Sequence, residues 1–263
     1  MKVKRVISGI IMFIMVAVVL IIGNKFAVNL AVSLVALLSI NEYFNVFKEK
    51  KNVDRWIGNL LAISIAFMDY IPINLMLALI PAIIILLFLK VIVTEMKTNF
   101  EDIAITLFGI IYIIGFIIFI PMIFSLNNGK FLIWYLAFAA WGTDTFAYMV
   151  GMKFGKHKFT SISPKKSIEG CIGGVVGAII VSLIYTYFIN KFGNLNISYL
   201  VTIVISAALS ILAQLGDLSA SSIKRYVGVK DFGKLIPGHG GMLDRIDSIL
   251  FIAPFAYFLM SII

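Results

Sequence analysis

Apolar runs of roughly bilayer-spanning length, about 20 residues, follow one another along almost the whole chain, separated by short polar stretches. Nine such runs are discernible, near residues 6–23, 26–47, 56–71, 73–93, 102–126, 131–152, 168–189, 197–220 and 243–263. They are continuous rather than alternating, which predicts helices and argues against a β-barrel. The third is the weakest, being short and running into Asp69 and Pro72. The expected fold is therefore all-α: a polytopic integral membrane protein of about nine transmembrane helices. A single transmembrane domain over 1–263 is expected, with 1–130 supplying N-terminal membrane helices and 131–263 the helices and loops of the candidate site. Met1–Arg5 followed by an apolar run imitates a signal peptide, but no small-x-small cleavage site follows, so it reads as a retained first helix.

Charge placement adds an orientation. With the N-terminus inside, the inner segments hold every Lys and Arg of the 22 except Lys25, Lys130 and Lys191. That asymmetry predicts a cytoplasmic N-terminus and an outside C-terminus in the cell's plasma (inner) membrane. The formal net charge of +9 then belongs to loops facing anionic headgroups, and no nucleic-acid partner is expected. The apolar share of 61% exceeds the roughly 45–50% of soluble domains. One cysteine, Cys171, lies in an apolar run, which excludes an internal disulfide and a cysteine-based metal site.

The polar residues that interrupt this pattern gather late in the chain. Asp144, flanked by Gly142, Thr143 and Thr145, lies inside the sixth run, where an ionisable group is costly and points to function. The plainer alternative is a packing pair with a neighbouring cation. In the next loop, Ser163-Pro164 reads as an N-cap and first-turn proline, placing Lys165, Lys166 and Ser167 at a helix N-terminus suited to phosphate. Gly170/Gly174 and Gly173/Gly177, each pair four apart, predict close helix packing. Asp217, Ser221 and Lys224 fall on one helical face, and Asp244 and Asp247 share another, with Arg245 turned aside. Acids from three helices are thus expected near one leaflet, beneath two basic loops. Carboxylates with a single cysteine and two histidines favour a hard cation such as Mg²⁺ over zinc. Gly238, Gly240 and Gly241 would let backbone amides approach an anion, although no Walker A loop is present.

The stretch 221–247 carries a longer pattern: Ser221-x-Ile223-Lys224-Arg225-x4-Lys230-Asp231-x-Gly233-x2-Ile236-Pro237-x-His239-Gly240-Gly241-Met242-x-Asp244-Arg245-Ile246-Asp247. It resembles the signature of the phosphatidate cytidylyltransferases (CDP-diacylglycerol synthases) without a gap. Asp144-Thr145-Phe146-Ala147-Tyr148 and Ser163-Pro164-Lys165-Lys166-Ser167-x-Glu169-Gly170 resemble further family blocks, with Ser167-Ile168 where Thr-Trp is often found. The first 130 residues resemble the family only in hydropathy. The resemblance implies a membrane-embedded enzyme that joins CTP and phosphatidic acid, giving CDP-diacylglycerol and pyrophosphate. It also implies Mg²⁺, with a second cation (K⁺ or Mg²⁺), a metal site at Asp217 and Asp244, and a homodimer among membrane lipids. The active site would lie at the cytoplasmic face. On this reading Asp217, Asp244, Asp247, Lys224 and His239 act in catalysis. Asp144, Ser163, Lys165, Lys166, Ser167, Ser221, Arg225, Lys230, Gly240, Gly241 and Arg245 hold the substrates. Rival readings are a CTP-dependent lipid kinase, a synthase acting on ether-linked lipids, and an ion-coupled transporter. A transporter would place its acids near the midplane and within internal repeats, and no repeat is evident.

Overall fold

The computed structural model describes residues 2–48, 51–193, 195–238 and 240–262. Among them nine helical elements follow the apolar runs: α1 (Lys2–Ile22), α2 (Lys25–Phe47), α3 (Arg55–Ser64), α4 (Ile73–Val93), α5 (Phe100–Phe124), α6 (Trp134–Phe154), α7 (Ile168–Gly193), α8 (Tyr199–Val227) and α9 (Leu243–Met260). α3 tightens into a 3₁₀ stretch at Ile65–Tyr70, and α5 contains a π-helical stretch at Ile110–Ile114. No strand occurs among the described residues, only isolated bridges at Lys158–Ser167 and Ile236–Gly240.

Five of these helices, α2, α4, α5, α7 and α8, are long and apolar enough to cross a membrane, which makes this a multi-pass membrane protein. α3, α6 and α9 lie where runs predict helices but do not reach the same combination of length and hydropathy, and Ile7–Ile22 of α1 is likewise apolar. On α4, Leu75, Leu77, Ile80, Ile85, Leu86 and Leu89 all face outward. Such a surface would be untenable in water but suits hydrocarbon, where the helix satisfies its own backbone.

The chain forms two compact units, one of Met1–Pro121 with Asp231–Arg245, the other of Met122–Lys230 with Ile246–Ile263. Within the first, α2 is the central rod. Val28, Val32, Ala36, Ile40, Tyr43 and Phe47 recur at spacings of three and four and are buried. Asn24 caps its start by accepting the Ala27 N–H at 2.9 Å. Gly58 and Gly109 make room for the rings of Phe44 and Tyr43. A polar clasp joins the loop before α3 to α5. Asp102 closes a capping box with Asn99 and also accepts the Asn52 N–H at 3.1 Å, while Lys90 pairs with Asp54 at 2.9 Å. Asp69, which weakened the third run, lies in the 3₁₀ stretch and accepts a hydrogen bond from the Asn29 side chain at 2.8 Å.

In the second unit α6, α7 and α8 pack closely. The glycine pairs act as their spacing predicts: a Cβ at Gly174 would lie 3.0 Å from the Thr143 carbonyl oxygen, and one at Gly170 2.8 Å from that of Ala147. Close approach then lets buried hydroxyls bridge the helices. Tyr135 and Thr186 lie 2.6 Å apart, Thr186 and Thr202 3.0 Å, and Thr143 and Ser210 2.6 Å. Such side-chain bonds are each worth about 1 kcal/mol in a membrane interior, and they fix the rotation of each rod about its axis. That rotation decides where the charged residues at the rod ends point.

Candidate active site

α8 continues seven residues past the predicted end of its apolar run, through Val227, and closes on Gly228, whose φ of 88° suits the left-handed C-cap. The extension carries Ser221, Lys224 and Arg225 as one helix with Asp217. Next to Asp217 is Gly216, where a Cβ would lie 2.7 Å from the Asp247 carbonyl oxygen and 3.0 Å from the Phe251 Cβ. A side chain there would push α9 away, so this glycine brings the Asp217 end of α8 against the Asp247 turn of α9. Asp247 is buried, as is Lys224. The charges of Asp217, Lys224 and Asp144 all act on Asp247. Lys166, from the loop before α7, is ion-paired with Asp217, both side chains being partly exposed. Five of the predicted residues, Asp144, Lys166, Asp217, Lys224 and Asp247, therefore form one electrostatic cluster in the second unit.

The loop that delivers Lys166 folds differently from the sequence expectation. Ser163 is not the helix cap: its carbonyl accepts the Lys166 N–H at 3.0 Å, a β-turn with Pro164 in the second position, where its fixed φ belongs. The cap is Ser167, whose Oγ accepts the Gly170 N–H at 3.1 Å, and α7 begins at Ile168. Cross-links from the Phe159 N–H to the Lys166 carbonyl and from the Ile168 N–H to the His157 carbonyl, each 2.9 Å, hold the turn. Glu169 ties the other arm by accepting N–H groups of Lys156 and His157 at 3.1 and 3.3 Å. Lys165 and Lys166 thus stand on a braced turn ahead of the helix, with Lys165 exposed. Arg225 is exposed and donates to the Val229 carbonyl at 3.3 Å; Lys230 is exposed and Ser221 half-buried.

The glycine-rich segment, in the first unit, is organised by two carboxylates. Asp244 is buried, and its Oδ2 accepts the N–H groups of Phe232 at 2.8 Å and Gly241 at 3.0 Å. Gly240 has a φ of 84° and a carbonyl that accepts the Ile236 N–H at 2.8 Å. Arg245 points outward. His239 lies outside the described residues. The second carboxylate, Glu42 of α2, escapes the sequence reading. It is buried and accepts the N–H groups of Met242 and Leu243, both at 2.9 Å. The signal was available, since an acid inside an apolar run points to function wherever it occurs.

Among the described residues no three His, Cys, Asp or Glu side chains gather closely enough to cage a metal by themselves. The cluster of the second unit nevertheless sets three carboxylates against two ammonium groups. An oxygen-only donor set with surplus negative charge fits a hard divalent cation that keeps waters and substrate phosphates in its shell.

A family model described as the cytidylyltransferase family matches residues 3–263. A phosphatidate cytidylyltransferase of Staphylococcus haemolyticus is 35% identical over 97% of this chain and 96% of that protein. One of Bacillus subtilis is 39% identical over 69% of this chain and 66% of its own length, and one of Thermotoga maritima 38% identical over 62% and 61%. With a family model spanning nearly every residue and a relative aligned end to end, the chain belongs to the cytidylyltransferase family.

Proposed function

We propose that this chain is a phosphatidate cytidylyltransferase, joining CTP to phosphatidic acid and releasing CDP-diacylglycerol and pyrophosphate for phospholipid synthesis. The observation that carries the reading is the cluster in which Lys166 pairs with Asp217 beside Asp247 and Lys224, in a chain of this family. A phosphate oxygen of phosphatidic acid attacks the α-phosphorus of CTP in line; the bond from that phosphorus to the β-phosphate oxygen breaks, and pyrophosphate leaves. The nucleophile is already ionised near neutral pH, so His239 is assigned to positioning phosphate rather than to removing a proton. Lys165, Lys166, Lys224, Arg225 and Lys230 hold the triphosphate and lipid headgroup by charge, the dominant contribution in phosphoryl-type transfer. Ser163, Ser167, Ser221, Gly240, Gly241 and Arg245 belong to the same substrate-holding set, and Asp144 and Asp247 support the acids. The family resemblance implies Mg²⁺, with a second cation (K⁺ or Mg²⁺), and names Asp217 and Asp244 as its ligands; such an ion would neutralise charge on the reacting phosphates.

The lysine and arginine asymmetry supports nine spans with a cytoplasmic N-terminus, an outside C-terminus and a site at the cytoplasmic face of the plasma (inner) membrane. A homodimer is carried over from the family resemblance.

Purified protein given CTP, Mg²⁺ and phosphatidic acid is expected to yield liponucleotide and an equal amount of pyrophosphate. Release of CDP instead would make the chain a kinase, and the absence of any lipid product would end the reading. Lys166→Ala is expected to raise the KM for CTP about tenfold, the scale of one charge-assisted contact, with a smaller change in kcat. An unchanged KM and lipid dependence would remove Lys166 from the substrate clamp.

A further inference from the structure

The structure assigns to Glu42 the part of a positioning residue for this reaction: a carboxylate on an N-terminal membrane helix that sets the geometry of the Gly240–Asp244 segment. The inference rests on the cytidylyltransferase reading and names a residue outside the signature. α9 starts at Leu243 after Gly241-Met242, neither of which has a side chain able to cap a helix. Glu42 supplies the cap from 200 positions earlier in the chain. One oxygen takes the Met242 N–H and the other the Leu243 N–H, both at 2.9 Å. Gripping consecutive amides with the two oxygens of one carboxylate fixes the rotation of the helix start as well as its place. The helix dipole there favours a negative partner.

The glycines of the segment are shaped around this acid. A Cβ at Gly233 would lie 2.5 Å from Glu42 Oε1, and one at Gly241 2.3 Å from Oε2. A side chain at either position would displace the Glu42 carboxylate from the amides it grips, which gives two signature glycines a steric reason that has nothing to do with phosphate. Asp244 holds the other side of the loop through Phe232 and Gly241. Four backbone amides, of Phe232, Gly241, Met242 and Leu243, are thus divided between two buried acids. Asp244 can be assigned to the reaction only while its turn is held, and Glu42 holds it. Displacement of a reacting-site group by about 1 Å can cost on the order of 10²-fold in rate.

Glu42→Gln keeps the size but leaves one acceptor oxygen for two amides. It is expected to lower kcat for liponucleotide formation about 10²-fold while the KM for CTP moves less than about threefold. Hydrogen exchange at the Met242 and Leu243 amides should quicken about tenfold or more, with the amides of Phe100–Gly109 unchanged. Should Glu42→Gln fail to accumulate in the membrane, Glu42→Asp carries the same comparison, because its shorter arm cannot reach both amides. An unchanged kcat, or exchange that quickens throughout the first unit, overturns the proposal in favour of a merely structural acid. A wild-type chain that makes no liponucleotide overturns the functional reading itself, a different result from an active wild type with an indifferent variant.

Discussion

Asp217→Asn is expected to reduce CDP-diacylglycerol formation by about 10³-fold, the upper range for removing one preorganised electrostatic group, while the protein stays folded in the membrane. Both halves follow from its surroundings. Asp217 and Lys166 form a partly exposed ion pair, and pairs of that kind contribute at most about 1 kcal/mol to stability. The helix packing beside it is set by Gly216, which the substitution leaves untouched. Asparagine is nearly the same shape, so α8 and α9 need not move. What disappears is one of three negative charges in the cluster, the one proposed to hold a divalent ion against substrate phosphates. The measurement is liponucleotide yield from labelled CTP over a Mg²⁺ titration, with membrane-extracted protein compared by thermal melting. Near-normal turnover at limiting Mg²⁺ would refute the metal assignment for Asp217.

Asp244 allows a sharper separation, because the same carboxylate has a visible structural task. Its Oδ2 accepts two backbone amides in a buried setting. In Asp244→Asn the side-chain amide oxygen could still accept both N–H groups, keeping the loop while losing the charge. Asp244→Ala would strand both amides, at a cost of about 1–3 kcal/mol each. Both substitutions are expected to lose at least about 10²-fold in turnover. Only Asp244→Ala should quicken hydrogen exchange at Phe232 and Gly241 or speed tryptic cleavage at the already exposed Lys230 and Lys234. If Asp244→Asn instead turns over at close to the wild-type rate, the acid is a loop clasp and its place in metal binding falls.

Much of the architecture could be read from the chain itself. Apolar run length located all nine helical elements, because a bilayer imposes its own thickness on a helix. The run bounded by Asp69 and Pro72 was rightly the weakest, and it tightens into a 3₁₀ stretch at that place. Four-residue glycine spacing foretold that α7 packs closely on a neighbour, since small residues at i and i+4 share a face, and the structure makes that neighbour α6. The Ser163 cap went astray for a local reason. Serine followed by proline starts a β-turn as readily as a helix, and the cross-links from Phe159 and Ile168 chose the turn.

Hydropathy and the 221–247 pattern thus determined the all-helical membrane class and the family by themselves, because each is written in consecutive residues and needs no partner. Only the tertiary structure decided that Lys166 pairs with Asp217, that Gly216 seats α8 on α9, and that Glu42 caps a helix at the other end of the sequence. Those choices join residues 31 to 201 positions apart. They depend on how each rod is rotated about its axis, a quantity set by buried hydroxyl bridges and missing Cβ atoms rather than by the periodicity of any one segment.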